Sequence, residues 1–182
     1  TNPWNAGNTD STEIEELDNR SVLRADPKSD GSYTVSRVTF DTTMPNGVLI
    51  SIDQQTLYVA ESNSERDDID RELRAYPINE DGSVGPSRVL HAFGKDSTGV
   101  HRGIDGMTLD SEWNIVATAG WEKSGPGPMI YVFAPTGRVL KTHPMPVAPT
   151  NCAFGDPDLQ SLYVTASDGS LFRARTRRRG LA

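Results

Sequence analysis

Pro45-Asn46-Gly47-Val48-Leu49-Ile50-Ser51, a turn at Asp53-Gln54-Gln55, and Thr56-Leu57-Tyr58-Val59-Ala60-Glu61-Ser62 form a unit that this chain uses three times. Ile104-Asp105-Gly106-Met107-Thr108-Leu109-Asp110 runs through Ser111-Glu112 into Trp113-Asn114-Ile115-Val116-Ala117-Thr118-Ala119. Thr150-Asn151-Cys152-Ala153-Phe154-Gly155 runs through Asp156-Pro157-Asp158 into Ser161-Leu162-Tyr163-Val164-Thr165-Ala166-Ser167. Counted from the leading polar residue, positions 46 and 105 are 59 apart, and 105 and 151 are 46 apart. A repeat of roughly 40–50 residues is the mark of β-propeller blades. The polar insertion from Asn63 to Arg71, read as a loop, accounts for the longer first interval.

Each unit has room for four strands. In the first, Gly47 to Ile52 and Thr56 to Glu61 pair across a short turn, Glu72 to Ile78 alternates polar and apolar, and Arg88 to Phe93 completes the set. The second repeats this with Met129 to Ala134, a turn at Pro135-Thr136-Gly137, and Arg138 to Thr142. Asp-Gly and Thr-Gly dipeptides between alternating runs are hairpin signals. A partial unit from Val22 to Phe40 turns at Ser29-Asp30-Gly31. The expectation is an all-β chain, a β-propeller of four-stranded blades with about three and a half blades present. Ser11 to Asp18 is a weak helix candidate of no more than two turns. Residues 1–20 read as an N-terminal segment, poorly ordered or the remnant of a preceding blade. The blades occupy 21–176, and 177–182 form a basic tail. Propellers close with at least four blades, so an open arc is expected to self-associate through its unpaired edges.

Composition narrows the partners. The net charge of −7 excludes nucleic acid as a general partner, because phosphate binding needs a basic face. Arg177-Arg178-Arg179 is the exception and reads as solvated surface. No apolar run reaches the ~18–20 residues of a membrane span, so no membrane partner is expected. The lone Cys152 allows no intrachain disulfide. Thr1-Asn2-Pro3-Trp4 shows neither a basic n-region nor an apolar h-region, so no signal peptide is visible, and the compartment stays open between cytoplasmic and periplasmic or secreted.

The leading residues of propeller inner strands line one mouth of the central channel. The repeats align Asn46, Asp105 and Asn151 there. Their oxygens suit a hard divalent cation, while the same residue types also open strands because they cap turns well. The residues alone leave both readings open. His101 and Arg102 stand just before Asp105 as channel-lining candidates, able to bind an acidic sugar or relay a proton. Trp121, ahead of a loop read at Gly125-Pro126-Gly127-Pro128, either covers a substrate or packs on the rim. Cys152 is expected to face a blade interface as a small hydrophobe, and the recurring Tyr58 and Tyr163 to serve blade packing.

Three stretches in series resemble the SMP-30/gluconolactonase family. They are Pro45-Asn46-Gly47 with Leu57-Tyr58-Val59-Ala60, the segment Asp105-Gly106-Met107, and Thr150-Asn151-Cys152-Ala153-Phe154-Gly155 with Leu162-Tyr163-Val164-Thr165. The resemblance spans about Val22 to Arg175 and implies a six-bladed propeller that holds a divalent cation in its channel. It puts Asn46 and Asp105 on metal-ligand positions, gives Asp105 the role of general base as well, and leaves Asn151 as channel-lining. The implied activity is metal-dependent hydrolysis of a sugar-acid lactone or similar cyclic ester, a small-molecule substrate. Ca²⁺ is the expected ion, with Mg²⁺, Mn²⁺ and Zn²⁺ left open. The alternative is a non-catalytic propeller module that binds a partner or is stabilised by metal.

The family draws a further metal-binding Glu from its first blade, and substrate-gripping Arg and Asn from the next. The matched stretches lie after those positions, with Glu16-Leu17-Asp18 resembling the segment that follows them. Glu13, Glu15 and Glu16 read as a solvated acidic run rather than replacements. The expectation for the chain alone is weak metal binding and little activity.

Overall fold

A computed structural model describes residues 19–63, 65–69 and 71–181. The weak helix candidate at 11–18 lies outside them. Every named element is a β-strand. β1 (Leu23–Pro27) and β2 (Tyr33–Arg37) form a two-stranded sheet. β3 (Pro45–Ile50), β4 (Thr56–Glu61), β5 (Glu72–Pro77) and β6 (Arg88–Ala92) form a four-stranded one in that order. After the short pair β7 (Lys95–Asp96) and β8 (Gly99–Val100) comes a second four-stranded sheet. It comprises β9 (Ile104–Leu109), β10 (Ile115–Trp121), β11 (Ser124–Phe133) and β12 (Val139–Pro144). β13 (Pro149–Gly155), β14 (Ser161–Ala166) and β15 (Leu171–Arg175) close the list as a three-stranded sheet. All pairings are antiparallel between sequence neighbours, and β3, β9 and β13 pack side by side as inner strands. The expected all-β arc of propeller blades is present, as two four-stranded blades, one three-stranded blade and a two-stranded partial one.

Alternation along the second strand of each blade holds the blades together. Leu57 and Val59 of β4 turn toward Val22 and Val38 of the partial blade, and Tyr58 and Ala60 turn toward Ile104, Met107 and Ile115 of the next. In β10, Ile115, Ala117 and Ala119 face back to that same interface, while Val116 faces Cys152, Leu162 and Val164 of the last blade. A strand buried on both faces reads as a near-continuous apolar run, and β4 and β10 do so except at Thr56, Glu61 and Thr118.

The turns share one chemistry. In Asp30-Gly31-Ser32 and Asp81-Gly82-Ser83 the Asp Oδ1 accepts from the Ser backbone N at 2.9 Å and the Ser Oγ at 2.6 Å. Asp168-Gly169-Ser170 repeats it, with the backbone bond at 2.9 Å. These bonds hold the Asp30 and Asp81 carboxyls below the usual range.

Two local expectations are corrected. Gly125-Pro126-Gly127-Pro128 is not a loop but the first part of β11, and the turn falls earlier, between Trp121 and Ser124. A side chain on Gly120 would stand 2.1 Å from the Gly127 carbonyl, so a glycine there lets the two arms close. The three arginines are not uniformly solvated either. Arg177 and Arg179 are exposed, but Arg178 ion-pairs through Nη1 with Asp110, which is 1% exposed, at 2.5 Å. The Ser111 N to Arg179 O bond (2.7 Å) and an Asp110–Gly180 bridge fasten the same segment to the β9–β10 turn.

Asp110 also accepts from the backbone N of Glu112 and of Asn114, both at 2.9 Å. Asp110→Ala is expected to lower the unfolding free energy by about 2–3 kcal/mol, since several donors lose a charged acceptor, as measured by urea denaturation.

Candidate functional site

The inner strands β3, β9 and β13 each carry a β-bulge at the same level. Pro45 pairs with Glu61 and Val48 with Val59, so Asn46 and Gly47 together oppose Ala60. Ile104 pairs with Ala119 and Met107 with Ala117, so Asp105 and Gly106 oppose Thr118. In the third blade Pro149 pairs with Ala166 and Asn151 with Thr165, leaving Thr150 as the extra residue. Bulges re-aim side chains and are common beside active sites. The register corrects the expected alignment: Asn46, Asp105 and Thr150 are equivalent, and Asn151 occupies the place of Gly47 and Gly106. Turn spacing in sequence does not reveal that shift, because it depends on which residue the bulge leaves unpaired.

Close packing brings neighbouring inner strands together at this level. A Cβ on Gly47 would lie 2.6 Å from the Asp105 carbonyl oxygen, and one on Gly106 would lie 2.3 Å from Asn151 Oδ1. Glycine is required at both positions for the backbones to approach. Thr118, fully buried, holds the second bulge from behind. Its hydroxyl accepts from the Gly106 N at 2.9 Å and donates to the Gly106 carbonyl at 3.1 Å. Ser62 Oγ donates to the Ile104 carbonyl at 2.6 Å and ties the first blade to the residue before Asp105.

Asp105 is the electrostatic centre of this region. Its side chain is 22% exposed and ion-pairs with Arg102, which is 24% exposed. Burial pushes the Asp105 carboxyl above the usual carboxylate range, against the opposing pulls of Arg102 and of the Asn46 carboxamide that hydrogen-bonds to it. A carboxylate held partly desolvated and ready to take a proton is suited to general-base work.

The remaining candidates divide. Arg102 reaches Asp105 and also donates from Nη1 to the Gly120 and Pro149 carbonyls at 3.3 and 3.4 Å. His101 is engaged with Asp96, Nε2 to Oδ2 at 3.0 Å, rather than with Asp105. Asn151 is exposed, but its Oδ1 accepts from the Cys152 N at 2.8 Å and so is turned onto its own backbone. Trp121 Nε1 donates to Ser124 Oγ at 2.6 Å within its hairpin. Cys152 lies in the interface between the last two blades, and burial pushes its thiol up to about 12, which leaves it inert as a nucleophile.

Sequence reading missed Thr118 and Glu61. Glu61 is 1% exposed and accepts from the Thr43 N (2.9 Å), Thr43 Oγ1 (2.7 Å) and the Met44 N (2.8 Å). The signal for both was a polar residue inside an otherwise apolar strand.

A family model described as SMP-30/Gluconolactonase/LRE-like region matches residues 4–168. The chain is 32% identical over 179 residues to a gluconolactonase of Zymomonas mobilis, covering 96% of this chain and 46% of that protein. It is 30% identical over 139 residues to a 6-deoxy-6-sulfogluconolactonase of Pseudomonas putida, covering 76% and 43%. The solved structure of a gluconolactonase from Xanthomonas campestris superposes with a TM-score of 0.62 at 29% identity, over 88% of this chain and 46% of that one. The chain spans about half the length of the curated relatives it matches.

Two outcomes test the geometry. Thr118→Val keeps the shape but leaves the Gly106 N–H and carbonyl without the hydroxyl. It should destabilise the chain by about 1–3 kcal/mol and shift the amide resonance of Asp105. The raised Asp105 carboxyl also has a pH signature. Folding takes up protons at this group, so its ionisation opposes folding as pH rises from the unfolded value near 3.8 through the higher folded one. Asp105→Asn should therefore unfold at a higher urea concentration than the parent at pH 7, with the gap closing below about pH 4.

Proposed function

Because this chain belongs to the SMP-30/Gluconolactonase/LRE-like family, we propose that it carries part of a lactone-hydrolysing centre, with Asp105 as general base and Asn46 beside it. The observation that carries this reading is the paired bulge, which holds a partly buried carboxylate against a neutral carboxamide at the channel mouth. The lactonases among the relatives support the substrate class, a sugar-acid lactone or similar cyclic ester.

Asn46 and Asp105 offer two neighbouring oxygen donors, the kind a hard cation takes. Among the described residues no group of three His, Cys, Asp or Glu is placed to hold a metal. The donor set therefore fits a divalent ion in kind, Ca²⁺ before Mg²⁺, Mn²⁺ or Zn²⁺, and supplies fewer than the six to eight oxygens Ca²⁺ takes. Water or groups outside the described residues would complete the shell. Bound there, the ion would polarise the lactone carbonyl.

The chain's own residues handle the proton. Asp105 takes a proton from a water molecule as the water oxygen forms a bond to the lactone carbonyl carbon. The ring C–O bond then breaks, and the proton passes from Asp105 to the departing ring oxygen, leaving an open hydroxy acid. Arg102, already paired with Asp105, orients the carboxylate and tempers its basicity. The neutral Asn46 adds an oxygen without adding negative charge.

The same Arg102 favours a second reading, a propeller module without catalysis, since it also ties the Gly120 and Pro149 carbonyls and so joins two blades. Asp105→Ala separates them. The lactonase reading expects at least a hundredfold loss of gluconolactone hydrolysis, assayed in a preparation that contains the complete propeller, with cooperative unfolding kept. No hydrolysis by the parent, or loss only in step with unfolding, would favour the module.

A further inference from the structure

We propose that Glu61 positions Asn46 at the channel mouth, an inference that rests on the reading of Asn46 and Asp105 as cation ligands. Glu61 closes β4 opposite Pro45. At the same ladder position the other blades carry Ala119, opposite Ile104, and Ala166, opposite Pro149, and both alanines are buried. A small apolar residue is therefore enough to build a blade at this point. The carboxylate in the first blade serves something the other two lack.

Burying a carboxylate is unfavourable unless its lone pairs are met. Among the described residues, the three donors that meet those of Glu61 come from Thr43 and Met44, the two residues ahead of Pro45-Asn46. The same pair is gripped again from behind. Asn63 Nδ2 donates to Thr43 Oγ1 at 2.9 Å, and the Ser62 N donates to the Met44 carbonyl at 3.1 Å. Pro45, fixed in φ by its ring and buried, leaves the chain little freedom before Asn46. The bulge that follows thus starts from a clamped point, and the direction of the Asn46 carboxamide toward Asp105 is set by Glu61 through two residues of backbone.

The third blade offers a weaker version of the device. There the Ala148 N, just ahead of Pro149, donates to Glu122 Oε1 at 2.8 Å, but Glu122 is exposed and comes from the hairpin of the preceding blade. Only the first blade places the acid inside its own sheet. That blade also presents the carboxamide that faces Asp105.

Outer residues that orient a metal ligand typically change metal affinity by about 10–100-fold when altered. The test uses the full chain with Ca²⁺ alone as the probe, titrated into the millimolar range and followed through ¹H–¹⁵N amide shifts, alongside thermal melts. The variants are Asn46→Ala, Glu61→Gln and Tyr76→Phe. Gln at position 61 replaces one acceptor with an NH₂ and so opposes one of the three donors. Tyr76→Phe removes the 2.9 Å bond to Asp41 in the same blade and serves as the stability control.

The expected result is roughly tenfold weaker Ca²⁺ binding for Glu61→Gln, with Tyr76→Phe melting lower but binding as the parent does. Parent-like binding by Glu61→Gln, while Asn46→Ala weakens it, overturns the positioning role alone. Should Asn46→Ala bind as the parent does, or the parent show no Ca²⁺-dependent shift, the ligand reading falls and the inference with it. If Glu61→Gln fails to fold, Thr43→Val removes a single one of the three bonds. A severalfold loss of affinity then supports the role, and none overturns it.

Discussion

Burial of a single strand on both of its faces is the constraint on which the rest of this structure depends. β4 and β10 each send alternate side chains to opposite interfaces, so each strand contributes to two hydrophobic clusters at once. A helix cannot divide its residues this way, because its period is 3.6 rather than 2. Once β4 and β10 are committed to both neighbours, the inner strands β3, β9 and β13 are brought side by side, and their leading residues gather at one end. The site is a by-product of blade packing before it is anything else.

That packing also explains where the polar residues inside the fold are found. Glu61, Asp110 and Thr118 are each nearly or fully buried, and each meets its demand through backbone groups or a charged partner. They stand where the regular ladder is interrupted: Asp110 at a turn, Thr118 at a bulge, Glu61 behind the approach to one. A ladder interruption frees N–H and C=O groups that must be paired within the protein. Asp105 is the exception, since its burial is incompletely offset and its carboxyl is left above the usual range. Residues in that position are candidates for chemistry rather than for stability.

The blades were legible because period-two alternation and Asp-Gly turns are local features. Thr56 to Glu61 and Thr150 to Gly155 announce themselves within six or seven residues. Gly125-Pro126-Gly127-Pro128 misled because its composition is that of a loop, yet its neighbour across the hairpin, Gly120, makes room for a strand. Arg178 misled in the opposite sense: a run of like charges at a chain end is ordinarily solvated, and its partner Asp110 lies 68 residues away.

For the candidate site, the residue types of Asn46 and Asp105 and their repeat positions could be read directly, and so could the family resemblance. The placement of Asn151 could not, because a bulge shifts register by one residue without leaving a trace in spacing. Nor could the roles of Glu61 and Thr118, whose hydrogen bonds exist only once the bulges have formed. By itself the sequence determined the all-β class, the blade period and that Asn46 and Asp105 lead two of the inner strands, since these follow from local alternation and turn chemistry. Only the tertiary structure decided which of those residues face one another and which buried groups hold them, because that depends on register and on contacts between strands far apart in the chain.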